Sequence, residues 1–467
     1  MTVAIQSAPV KYGQMIGAGL IILALTLDGL DLQLLGIVAP LLIADLGITR
    51  EVFAPALAAA VLGLALGSSV GGWLGDRFGS KTILVASIVF FGFMTIISAF
   101  VTSIDTLMVA RFISGLAFGA ATPNGLALGS EWLPRRAHPM FSAVASICTP
   151  LGGLIGAGLT LVLIPFGGWR VCFLACGILT LVAALVMAWR IPNSPAYLLR
   201  KGREGQARRV WRKVMGAEVG VVFEEQSRSH PATDNPKGPL FTAPLLRMNV
   251  GAPIGFFSIA FVTYSFLSWT PVMLTMTGFT MSEAVRGSIA YNMLALIAPL
   301  GGGLLISRYG SRAVLIGTSA ATMAALLGVA TLMETAPLVP STALIWTILG
   351  GFGLIGGLAG IVTAGMYAVL TNGWPVETRA SGMGLGFMMG RIGGFTAILT
   401  SGRLLALSEH SVLPIFITAL IALIFVIVAA LVINRHVPAR ARGYGNGSGG
   451  EIVRIGETLS KRFEGDA

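Results

Sequence analysis

Apolar residues run along this chain in long blocks, and each block closes on a short polar or basic turn. A membrane-crossing helix needs roughly 20 predominantly apolar residues. Twelve blocks of that kind lie near 15–42, 53–75, 82–101, 106–129, 139–164, 170–189, 248–274, 284–307, 312–333, 341–370, 379–402 and 411–433. The pattern predicts an all-α integral membrane protein with twelve transmembrane helices. An even count places both termini on one face. One long polar interruption, 190–247, separates six blocks from six. It opens on Pro192-Asn193-Ser194-Pro195, a turn and helix-start signal, continues as a basic helical stretch over Glu204–Met215, and ends in a polar, proline-bearing run from His230 to Pro239. The expected organisation is a six-helix half over 1–189, a connecting loop over 190–247, a second half over 248–433 and a polar tail over 434–467.

Composition agrees with this reading. Of the 467 residues, 55% are hydrophobic and 11% charged, against about 25% charged in soluble domains. The 61 glycines suit helices that pack closely through small residues. With the N-terminus inside, the inward segments hold 25 of the 31 lysines and arginines, the outward loops hold four, and Arg111 and Arg391 fall within blocks. The positive-inside rule then places both termini in the cytoplasm. The net charge of +11 is accounted for by this asymmetry and calls for no nucleic-acid partner. The polar N-terminal stretch lacks the pattern of a cleavable signal and leads directly into the first block. Cys148, Cys172 and Cys176 have neither disulfide nor metal-ligand spacing. No nucleophilic triad, nucleotide-cradling loop or metal cluster is evident, so no enzyme, metal or cofactor is expected. The sequence specifies no oligomeric state.

Two polar features inside apolar blocks carry the candidate chemistry. Asp28 and Asp31 stand three apart in the first block, on one expected helix face. A carboxylate at membrane depth costs about 2.5–3.5 kcal/mol on insertion scales, so such residues face protein or a watery path. Two like charges on one face oppose each other's ionisation and titrate as a pair, which suits a proton carrier. Arg391 lies about twelve residues into the eleventh block. A planar guanidinium matches a carboxylate bidentately, so Arg391 is the first candidate to hold an anionic substrate. Asn124, Tyr264, Trp269, Tyr291, Asn292 and Tyr367 are available as aromatic or amide neighbours for a ring.

The halves repeat. Gly71-Gly72-Trp73-Leu74-Gly75-Asp76-Arg77-Phe78-Gly79-Ser80-Lys81 follows block two. Gly302-Gly303-Leu304-Leu305-Ile306-Ser307-Arg308-Tyr309-Gly310-Ser311-Arg312 follows block eight, at a constant offset of 231 residues. Parallel six-helix repeats related by an axis along the membrane normal are an arrangement of major facilitator transporters. The first turn resembles the loop motif of the major facilitator superfamily, with Ser80 where a basic residue is usual. Arg111-x-x-x-Gly115-x-x-x-Gly119 resembles the second motif. The resemblance implies the major facilitator fold, two pseudo-symmetric six-helix halves.

A narrower resemblance, to the aromatic acid:proton symporter family, rests on several stretches together. These are Asp28-Gly-Leu-Asp31, Ala120-Ala-Thr-Pro123-Asn124, Glu131, Arg379-Ala-Ser-Gly-Met-Gly, and Gly390-Arg391-Ile-Gly-Gly394. It implies import of a benzoate- or hydroxybenzoate-type anion with protons across a bacterial inner membrane. It points to Asp28 and Asp31, with Glu131, for proton coupling. It also implies that block four packs near block one, so that Arg111 acts on the aspartates. Gly72, Asp76, Arg77, Gly79, Lys81, Arg135 and Arg379 would form a cytoplasmic gate. Three alternatives stay open: a facilitator for sugars or other organic acids, a membrane sensor, and an efflux antiporter. The last is prompted by Thr149-Pro150-Leu-Gly152-Gly153, part of an antiporter motif.

Overall fold

A computed structural model of the chain describes residues 12–133, 138–215, 245–335, 341–374, 379–408 and 411–438. The first half contains α1 (Tyr12–Ile37), α2 (Ala39–Leu46), α3 (Arg50–Phe78), α4 (Ser80–Ser98), α5 (Ile104–Trp132) and α6 (His138–Arg190). The connection contributes α7 (Pro195–Arg200) and α8 (Glu204–Met215). The second half contains α9 (Leu246–Met276), α10 (Met281–Tyr309), α11 (Ser311–Glu334), α12 (Thr342–Asn372), α13 (Arg379–Leu407) and α14 (Leu413–Val432).

Eleven of these helices are long and apolar enough to cross a membrane. The twelfth crossing is inside α6. Its 53 residues would span about 80 Å if straight, against a hydrocarbon core of about 30 Å. The helix breaks at Gly167–Gly168, and Gly168 has φ 64°, a conformation that favours glycine. The two limbs run in opposite directions. Phe141 packs against Gly129 near the end of α5, and Trp169 reaches Asp45 at the far end of the bundle. The chain then returns to place Tyr197 beside Gly79.

The repeated turns are alike in the folded chain. Gly79 joins α3 to α4 with φ 95°, and Gly310 joins α10 to α11 with φ 81°. Each N–H donates to the carbonyl four residues back, Gly75 and Ile306 respectively, at 2.8 Å in both cases. We call the face that carries these turns and Arg77, Lys81, Arg308 and Arg312 the basic face. On the opposite face Asp45 accepts hydrogen bonds from Arg170 Nη1 at 2.6 Å and Trp169 Nε1 at 3.2 Å. The Arg170 bond, then that of Trp169, holds the Asp45 carboxyl below its usual range.

Within each half the same pairs of helices pack most closely: α3 on α5 and α10 on α12, α1 on α6 and α9 on α13. Glycine sets the first of these. A Cβ at Gly63, Gly67 or Gly71 would overlap α5 backbone at Phe112, Leu116 or Ala120, a constant 49 residues further on. In return, Gly115 and Gly119 lie against Ala60 and Leu64. This is close parallel packing through small residues every fourth position, with dispersion contacts in place of a hydrophobic drive between helices.

The halves meet toward the opposite face. Gly36 of α1 lies against the Ser268 backbone of α9, and Ala54 of α3 against Gly402 of α13. Arg50 donates to the Leu405 carbonyl at 3.1 Å. Asn292 of α10 donates to Gln33 of α1 at 2.7 Å.

Candidate functional site

The two aspartates of α1 part company. Asp31 is 3% exposed and points into the first half. Its Oδ2 pairs with Arg111 Nη1 at 2.8 Å. Its Oδ1 lies 3.0 Å from the Thr95 hydroxyl. The other arm of the guanidinium donates to Ser98 at 2.8 Å, and its plane stands 5.2 Å from the Phe173 ring. A buried charge is tolerable when paired and hydrogen-bonded, and this one is supplied from α1, α4, α5 and α6. Asp28 is half-buried and has no ion pair or hydrogen bond among the described residues. Three residues turn a helix through 300°, leaving the two carboxylates about 60° apart. At the edge of a bundle that angle lets one point inward and the other toward the second half, while both stay on one broad face of α1, as their spacing predicts.

Across from Asp28 stands Arg391. It lies twelve residues into α13, about 18 Å from that helix's start. It is half-buried and within electrostatic range of Asp28. The run Gly390-Arg391-Ile392-Gly393-Gly394 explains its placement. Gly390 receives the Phe256 ring, Gly393 the Phe257 backbone and Gly394 the Tyr264 ring, so α13 lies flush on α9. Arg391 Nη1 reaches the Tyr264 hydroxyl at 3.5 Å, a long contact. Tyr367 is also within electrostatic range of Arg391 and Tyr264, and it is 40% exposed. Its ring stands edge-on to Phe256 at 5.1 Å and tilted to Phe387 at 5.5 Å, while Phe256 and Phe387 meet at 5.7 Å. A cation, two phenols and two phenyl rings therefore gather in the second half, with a carboxylate facing them from the first.

The other expected residues have other partners. Asn124 is buried between α5 and α3, where its Nδ2 lies 2.7 Å from the Gly71 carbonyl and 2.8 Å from that of Ala120. Trp269 donates to the Ile398 carbonyl at 3.2 Å and stands edge-on to Phe53 at the meeting of the halves. Tyr291 is buried against Gly356. Asn292 joins Gln33. At the basic face Gly72 has open space around it, Lys81 is half-buried, and the exposed Arg77 lies over Trp73 and Phe78. Arg135 lies outside the described residues, as do the side chains of Asp76, Glu131 and Arg379. Gln33, Thr95, Ser98, Phe256 and Phe387 were not singled out from the sequence. Gln33 was legible there as a further polar residue of the first apolar block, whereas the phenylalanines looked like any core residue.

Comparison with known proteins bears on this arrangement. The sequence model of the Major Facilitator Superfamily matches residues 21–398. The chain belongs to that superfamily. It is a multi-pass membrane transporter and not an enzyme. Among similar proteins is the 4-hydroxybenzoate transporter PcaK of Pseudomonas aeruginosa, 28% identical over 382 residues, which are 80% of this chain and 81% of that one. The gallate transporter of Pseudomonas putida is 27% identical over 442 residues, 94% of this chain and 95% of that one. Among solved structures, the xylose transporter XylE from E. coli superposes with a TM-score of 0.67 at 17% identity, covering 90% of this chain and 96% of that one. At that identity the likeness concerns the fold.

Proposed function

We propose that this transporter is a proton-coupled symporter that imports an aromatic carboxylate, of benzoate or hydroxybenzoate type, into a bacterial cell. The single observation that carries the reading is Asp28, a carboxylate with no ion pair or hydrogen bond among the described residues, lying within electrostatic range of Arg391 and its aromatic cluster in the other half. The similarity to transporters named for 4-hydroxybenzoate and gallate supports the choice of substrate. The charge asymmetry of the turns supports a cytoplasmic basic face and an inner-membrane setting.

The coupling follows from charge. Arg391 is the cation of this cluster among the described residues. An Asp28 carboxylate and a substrate carboxylate compete for it in a medium where unit charges interact strongly. A proton on Asp28 leaves Arg391 to the substrate, and the occupied cavity is then neutral. The phenols of Tyr264 and Tyr367 supply further donors to the substrate carboxylate, and the rings of Phe256, Tyr367 and Phe387 receive its aromatic edge.

The test is uptake by proteoliposomes across a panel of benzoates with an imposed proton gradient. Wild type is expected to accumulate aromatic acids only with the gradient. Asp28→Asn is expected to lose accumulation yet keep substrate exchange, because an amide cannot carry the proton. Full accumulation by Asp28→Asn removes Asp28 from coupling. Equilibration without accumulation in the wild type identifies a facilitator, and gradient-driven extrusion identifies an antiporter.

A further inference from the structure

The contact between halves contains a buried pair of amides whose orientation is fixed from both sides. Asn292 Nδ2 lies 2.9 Å from the Ser288 carbonyl, one turn back in α10. Gln33 Nε2 lies 2.9 Å from the Thr149 carbonyl of α6. Carbonyls only accept, so each amide must turn its nitrogen to its own carbonyl. That leaves Gln33 Oε1 to receive the second proton of Asn292 Nδ2, at 2.7 Å. Gln33 is 2% exposed and Asn292 1%, and Ile37, Ala157 and Val285 form a small buried apolar cluster joining the same three helices, α1, α6 and α10. A hydrogen bond in such surroundings specifies one register, and breaking it strands two buried amides.

Gln33 is also tied to the turn that carries Asp28. Gly29 lies directly on the Thr149 backbone, and Gly152 on the backbone of Thr26 and Leu30. Cys148, beside Thr149, is within electrostatic range of Asp28. The Asp28–Gly29 turn and Gln33 therefore rest on one short stretch of α6, residues 148–153. We infer that Gln33 and Asn292 are positioning residues for transport: an interhalf latch that keeps the opposite face shut and moves as one piece with the Asp28 turn. This goes beyond the symport reading, since it holds whatever the cavity carries. Every alternating-access cycle must part α1 from α10 to open the opposite face, and this pair is what that parting breaks.

The test measures the distance between spin labels at Thr102→Cys and Thr335→Cys, exposed positions at the opposite-face ends of the two halves. The full chain is reconstituted in liposomes without substrate. Wild type is expected to show mainly the short distance. Gln33→Leu and Asn292→Leu are each expected to shift the ratio of closed to open about tenfold toward open, since one side of a buried hydrogen bond is lost. The exchange Gln33→Asn with Asn292→Gln keeps both groups and the combined length, and is expected to restore the closed population. A merely structural role would lower the melting temperature of the single variants without moving the distance distribution. An unchanged distance distribution in both single variants overturns the latch. So does a wild type that is already mainly open, or an exchange variant no more closed than the single ones.

Discussion

At the scale of single residues, the chain gives two carboxylates that are neighbours in sequence different surroundings. Asp31 holds together three membrane-crossing segments, α1, α4 and α5, through Arg111, Thr95 and Ser98, whereas Asp28 faces Arg391 of the second half. Asp31→Asn is therefore expected to be a stability defect. Removing one partner of a buried ion pair typically costs about 3–5 kcal/mol, because the other charge stays buried. Thermal unfolding in detergent should place Asp31→Asn well below wild type, with Asp31→Asn/Arg111→Leu recovering much of the loss. Asp28→Asn should unfold near wild type. Equal destabilisation by the two single substitutions would contradict the division. The sequence singled out both aspartates and Arg111, because ionisable residues in an apolar block need a reason. It did not separate their surroundings, since two residues three apart on one face can still meet different partners. Asn124 is a similar case. An amide deep in an apolar block reads as a ligand group, yet its short side chain reaches the Gly71 carbonyl and fastens α5 to α3.

At the scale of elements, glycine spacing decides which helices touch. Gly67 of α3 lies so close to the Leu116 carbonyl that a methyl group has no room, while Gly72, five residues on, faces open space. Gly67→Ala is expected to destabilise the protein by about 1–3 kcal/mol, the usual cost of overpacking. Gly72→Ala should be neutral or slightly stabilising, as alanine is the better helix former. Melting temperatures of the two variants measure the difference, and equal values would contradict the close parallel approach of α3 and α5. The helices themselves were legible from block length, and the two glycine turns from the repeat at a fixed offset. The return of the chain inside α6 was legible as well, since blocks five and six were read separately. Backbone conformation adds that the break between these two helices falls at Gly167–Gly168. Partner choice was less legible. Small residues every fourth position announce a contact, but the sequence does not say that Gly63, Gly67 and Gly71 meet α5 in register.

At the scale of the whole molecule, the site exists only because two halves face each other. Neither half holds both charges: Asp28 belongs to α1, and Arg391, Tyr264 and Tyr367 belong to α13, α9 and α12. The halves meet toward the opposite face, with Gln33–Asn292 among the contacts between them. The central claim is that Arg391 receives the substrate carboxylate. A monoanion entering a site between the halves loses its hydration, and a hydrogen bond to a charged partner returns about 1.5–3 kcal/mol net. Lysine at 391 would keep the charge but lose the planar fork. The most direct measurement is calorimetric affinity for an aromatic acid and for its uncharged amide, in wild type, Arg391→Lys and Arg391→Ala. The acid should bind wild type well, Arg391→Lys more weakly and Arg391→Ala barely, while the amide binds all three poorly and alike. If the acid binds Arg391→Ala as tightly as it binds wild type, the carboxylate rests elsewhere and the account of this site is contradicted.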